Sequence, residues 1–165
     1  MTPFAADLLI LLRRDLGCFI REVEAFPDDA TLWRTLPGVR NSAGNLALHV
    51  AGNLRHFVGA VVGRTGYVRD RDAEFAQREG SRAEVSALLK AAFREVEVGL
   101  QGLTEAALAE PYPLAVMGHQ PPARRFLLHL ATHLAFHLGQ AGYLRRALTG
   151  EVGATGGMGI ADLMG

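Results

Sequence analysis

His133 and His137 stand four residues apart in the segment HLAFHLGQ, which runs from His133 to Gln140. On an α-helix that spacing puts both side chains on one face, with Cβ atoms about 5–6 Å apart, so two imidazoles can reach one ion. Steps of three and four through Phe126, Leu130, His133, His137, Gln140, Leu144 and Ala147 trace a seam of the kind that faces a bundle core. A second polar stripe, His49, Asn53, His56 and Ala60, follows the same stepping beside the apolar Leu46, Val50, Leu54 and Phe57. Each buried imidazole or amide left without a partner costs about 1–3 kcal/mol. A metal ion and a water-filled pocket satisfy both stripes together. The competing reading for each residue is a core polar group satisfied by protein hydrogen bonds.

What is missing narrows the chemistry. Leu134 follows His133 where a zincin protease places its general-base Glu. Leu130 and Leu134 occupy the positions three before the two histidines, where a di-iron carboxylate bundle needs Glu. His49 supplies a third imidazole from a second helix. Gln140, one turn beyond His137, is a candidate partner for a ligand imidazole or a bound substrate, against a simple helix-packing contact. His129 lies just off the seam and reads as a pocket residue in preference to a fourth ligand. Asn53 and His56 are further pocket candidates, and no catalytic acid or base can be assigned.

Four segments with helical periodicity must position these groups, and no segment shows sustained period-two alternation, so the fold class is all-α. The first helix spans about Pro3 to Phe26, with Pro3 in its first turn and Pro27 as its stop. Asn41 or Ser42 caps the second, which runs to Gly63 and Gly66. The run S-R-A-E from Ser81 to Glu84 is a capping box for the third. A linker with a short turn after Thr104 leads to Pro121 and Pro122, which open the fourth, ending before Gly150. Residues 1–150 make one bundle of four helices, and the Gly-rich tail 151–165 reads as a lid, a strap or disorder, with Met158, Ile160, Leu163 and Met164 able to dock. Trp33 is expected to plug one bundle end.

Seventeen basic residues balance seventeen acidic ones, so no net field draws nucleic acid or an anionic membrane surface. With no uninterrupted apolar run of about 18 residues, no membrane span is expected. Cys18 is alone and no signal-peptide pattern opens the chain, which points to the cytoplasm. Cys18 reads as a small buried hydrophobe, with a thiol near the site as the alternative. Arg124, Arg125, Arg145 and Arg146 read as a solvated helix face, with binding of an anionic substrate as the alternative.

With NLALHVAGNLRHF in the second helix and HLAFHLGQ in the fourth, the sequence resembles the DinB-like family of small metal-binding bundles. Bacillithiol transferases and the metal domain of mycothiol-dependent maleylpyruvate isomerase typify that family. The resemblance implies an up-down-down-up bundle with a long crossover from Arg64 to Gly80. It also implies one divalent ion held by His49, His133 and His137 with an open coordination side. Imidazole donors suit Zn or Ni first, and three protein ligands are the arrangement of a catalytic site. The expected function is a metal-dependent thiol S-transferase, taking a low-molecular-weight thiol and a small electrophile. The alternative is a non-catalytic, stress-related metal-binding bundle, and a homodimer is expected from relatives.

Overall fold

The computed structural model describes residues 1–153, 155 and 159–163. Helix α1, Pro3–Glu24, starts where the Thr2 hydroxyl accepts from the Ala5 amide at 3.1 Å, with Pro3 in the first turn. A single turn, α2, Asp29–Leu32, follows. Helix α3, Ala43–Leu54, opens on a reciprocal cap between Ser42 and Asn45. It continues without a break as a π-helix over Arg55–Val62. The crossover contains a short helix, α4, Arg71–Ala76, capped by Asp70. Helix α5, Arg82–Gln101, begins with the expected Ser81–Glu84 capping box. The turn after Thr104 is α6, Glu105–Ala109. Helix α7, Ala123–Thr149, starts behind Pro122 and ends at Gly150, whose left-handed φ of 75° lets its amide bond back to Arg146. No strand occurs among the described residues, and isolated bridges tie Pro111 to Pro122 and Val116 to His119.

Side-chain pairings give the order and direction of the long helices. Glu22 meets Arg145 and Arg124 lies over Phe4, so α1 and α7 run the same way. Arg13 meets Glu97 while Lys90 meets Glu24, so α5 runs opposite to α1. His49 meets His133 and Leu46 shares a cavity with Leu144, so α3 runs opposite to α7. Each of α1 and α3 packs on both α5 and α7, which leaves α1 diagonal to α3. Leu8, Leu12, Phe19, Leu54, Leu89, Leu100 and Leu127 fill the space between, all almost fully buried.

The π-helical stretch is the main local departure from the periodicity read in the sequence. A Cβ on Gly99 of α5 would fall 2.3 Å from the Val58 carbonyl oxygen, so only glycine lets α5 lie against this turn. The Tyr112 hydroxyl donates to the Phe57 carbonyl at 2.5 Å and ties this stretch to the segment before α7. A π-helix advances by a smaller angle per residue, so the stripe His49, Asn53, His56 does not hold its phase past Leu54. Trp33 is buried as expected, over Gly44, and donates from Nε1 to the Gly80 carbonyl at 2.7 Å.

Arg145 corrects the expectation of a solvated basic face. It is 1% exposed, and its Nε donates to Glu22 Oε2 at 2.6 Å. Its Nη2 donates to the Gly153 carbonyl, and Thr155 donates to Glu22 Oε1, so this pair also fastens the start of the tail. The turn Ala161–Leu163 lies against α1, with Ile160 exposed and Leu163 half-buried, whereas Met158, Met164, Gly156, Gly157 and Gly165 lie outside the described residues. Arg124 and Arg146 lie over the rings of Phe4 and Tyr143. No helix among the described residues is long and apolar enough to cross a membrane.

Removing one partner of a buried pair leaves the other charge uncompensated. Arg145→Met is therefore expected to cost about 3–5 kcal/mol, read as a lower denaturation midpoint. Burial pushes the Glu22 carboxyl up, but the bonds from Arg145 and Thr155 outweigh it and hold its pKa below the ordinary value. A depressed folded-state pKa means the contribution is full above the unfolded value of about 4.3 and is lost as the pH falls through the folded one. Denaturation midpoints followed from pH 7 to pH 3 should fall less steeply in Glu22→Gln than in the parent protein.

Candidate metal centre

Three imidazoles from two helices converge at the middle of the α3–α7 seam. His49 Nε2 lies 3.3 Å from His133 Nε2, and His137 Nε2 lies 3.1 Å from the same atom. One nitrogen from each of the three falls within 4.8 Å of the others. The rings meet edge to face, with centroids 4.5–5.2 Å apart. His49 is buried, while His133 and His137 are only partly buried, so the cluster opens toward solvent along α7.

The far side of two rings settles what the near side presents. His49 Nδ1 lies 2.9 Å from Glu74 Oε2, and the carboxylate can only accept, so Nδ1 donates and the neutral ring presents its lone pair on Nε2. His137 Nδ1 lies 2.8 Å from Gln140 Oε1 and donates in the same way, leaving its Nε2 bare. Burial, followed by the neighbouring His137 and His49, pushes the His133 pKa down to about 3. Burial also lowers His137, despite the bond from Gln140 that opposes it. At neutral pH these two rings are uncharged, as metal ligands must be.

Glu74 is the anchor of this arrangement, delivered by α4 from the crossover. Its carboxylate takes Arg69 Nε on Oε1 at 2.7 Å and Arg69 Nη2 on Oε2 at 2.8 Å, a bidentate fork. Burial would raise its pKa, but the bonds from Arg69 and then His49 hold it below the ordinary carboxylate value. Arg69 Nη2 also lies 3.2 Å from His49 Nδ1, where both atoms bear hydrogen, and the carboxylate between them compensates that approach. The carboxylate rests directly on α3: a Cβ on Gly52 would meet Glu74 Oε1 at 2.0 Å. Phe75, the next residue, packs its ring 4.7 Å from the His49 ring.

The donor set fits one transition-metal ion. Nitrogens 2.0–2.1 Å from a tetrahedral ion lie about 3.3–3.4 Å from one another, close to the 3.3 and 3.1 Å that separate His133 Nε2 from the other two, while the third pair lies within 4.8 Å. The sequence model of the DinB superfamily matches residues 12–141, well over half the chain and inclusive of all three histidines. The chain belongs to the DinB superfamily. A comparison with curated proteins found no match.

The other polar residues of this DinB-superfamily chain take different places. Gln140 holds His137. His129 is exposed, stacked 6.0 Å from Phe126, with its ring 5.9 Å from that of His133. It stands beside the triad and is not part of the nitrogen cluster. His56 packs on Phe57 in the π-helix. Asn53 is 8% exposed, and its side-chain oxygen has no hydrogen-bond partner. Cys18 is buried on α1, where burial raises its thiol pKa, the setting of an inert cysteine.

Sequence reasoning placed the three histidines together but missed Glu74, Arg69 and Phe75. Their one signal was a 17-residue link far richer in charge than a simple spacer needs.

A carboxylate behind a ligand imidazole fixes its tautomer and raises its basicity, and its loss typically weakens metal binding about 10–100-fold. Glu74→Gln should do so in a competitive chelator titration. Gly52→Ala should follow it, because the added methyl displaces the same carboxylate. Unchanged affinity in both variants would remove Glu74 from the site.

Proposed function

We propose that the protein binds one divalent transition-metal ion through His49, His133 and His137 and uses it to transfer a small thiol to an electrophile. The observation that carries this reading is the convergence of three imidazole nitrogens, two held bare by Glu74 and Gln140, at a site open on one side. Zinc or nickel suits three imidazole donors. When bound, such an ion lowers the pKa of a thiol in its open position from about 8.5 into the neutral range.

The chain's own residues supply orientation and shelter. His49 is locked by the Glu74–Arg69 pair and His137 by Gln140. Beside Gln140 lies a cavity of about 530 Å³ walled by Leu36, Leu46, Tyr143, Leu144 and Ala147. Its apolar walls suit an apolar electrophile and keep water from competing for it. Glu74 is buried and bonded to Arg69 and His49, so its part is to hold His49. A thiol is the nucleophile that fits such a site, because it loses its proton to solvent without a general base. The transfer forms one S–C bond, and the leaving group of the electrophile departs with its electron pair.

Purified protein reloaded with Zn or Ni should retain about one ion per chain. Bacillithiol, mycothiol and glutathione, each paired with an aryl halide, should give conjugation with at least one thiol. His133→Ala should keep its helical circular dichroism and lose turnover by about a hundredfold or more. Stoichiometric metal without conjugation of any thiol would leave a non-catalytic metal-binding bundle. Absence of bound metal would end both readings.

A further inference from the structure

The connection before α3 separates two cavities, and each has one wall in contact with a ligand imidazole. The apolar cavity reaches the triad through Gln140, bonded to His137. A second cavity, of about 450 Å³, reaches it through Phe75, packed on His49. Arg40 and Asn41 line both. The second cavity also carries Arg71 and Arg78, against a single acidic residue, Asp72, so its wall has a net charge of +2.

These guanidinium groups are not consumed by the fold. No ion pair to Arg40, Arg71 or Arg78 occurs within 4.0 Å among the described residues. Arg71 lies over the Phe75 ring, and Arg78 donates from Nη1 to the carbonyls of Phe75 and Gln77, which leaves its other donors unused. Several other arginines are ion-paired: Arg69 to Glu74, Arg55 to Glu95, Arg82 to Asp29 and Arg145 to Glu22. Three guanidiniums without a carboxylate partner on one cavity of ligand size, in a chain of zero net charge, make a local attractor for an oxyanion.

We propose that the Arg40–Arg71–Arg78 cavity is a subsite for the carboxylate or phosphate group of a small molecule whose reacting end lies at the histidine centre. The planar forks bind and orient the anionic end, and Arg40 and Asn41 form the divide between it and the apolar cavity. The two cavities therefore sort the two reactants: the charged one enters past Phe75, the apolar one past Gln140. That division of labour rests on the transferase reading, while the anion site stands on its own residues.

Calorimetric titration of succinate and of inorganic phosphate, with uncharged succinamide as control, tests it at low ionic strength. Binding of at least one anion and not of succinamide is expected, and preference between the two names the group. Arg40→Gln/Arg71→Gln should weaken that binding by about tenfold or more. Arg78→Gln, which also loosens the end of α4, serves as an independent variant with the same direction. His133→Ala should retain the anion affinity within about threefold. Loss of metal binding with anion binding intact would defeat the transferase reading and leave the subsite standing. Equal affinity in the double arginine variant, binding of neither anion, or loss of anion binding in His133→Ala alone would overturn the subsite.

Discussion

His133 Nε2 stands 3.3 Å from His49 Nε2 and 3.1 Å from His137 Nε2, and a proton or a metal ion must lie between such nitrogens to hold them together. In this protein two of the lone pairs are imposed from behind, by a carboxylate on His49 and an amide oxygen on His137. The neutral state of His133 is imposed by burial and by its two neighbours. Much of the structure around the seam maintains this juxtaposition. The crossover between α3 and α5 folds α4 onto α3 so that Glu74 reaches His49. Arg69 keeps that carboxylate ionised, and Gly52 leaves the space for it.

The bundle keeps this polar centre at an edge and not in the middle of its core. The triad lies between α3 and α7, with His133 and His137 partly buried, while the continuous apolar packing joins α1, α5 and the inner faces of the other two helices. The π-helical end of α3 lets α5 approach through Gly99 and is tied down by Tyr112. Beneath it, Phe57, Phe126 and Tyr112 pack as one aromatic cluster. At the other end of α7, Arg145 and Glu22 hold α1 against α7 and bind the first residues of the tail. The histidines of α7 are thus set between two fixed points and against a rigid neighbour, which is the condition for convergent ligand geometry without a large ordering cost.

Much of this was legible in the sequence because it depends on local periodicity. The H-x-x-x-H spacing, the phase of His49, the Ser81–Glu84 box, the proline start of α7 and the Gly150 stop are all set within a few residues. Glu74 was not legible, since nothing in a polar connection reveals which of its charges folds inward. Arg145 misled for a related reason: a charged residue near a helix end is most often solvated, and its burial depends on Glu22, 123 residues away. The π-helix broke the stripe that put the pocket candidate His56 in phase with His49. Wherever a role depended on contacts between distant segments, periodicity alone could not supply it.

X-ray absorption on the Zn-loaded protein reads the ligands of the ion themselves. The three-histidine site requires three imidazoles at about 2.0–2.1 Å and one or two oxygen scatterers. Alanine at any one of His49, His133 or His137 should remove one imidazole from the shell. A spectrum without imidazole scattering, or one unchanged by all three substitutions, would contradict it.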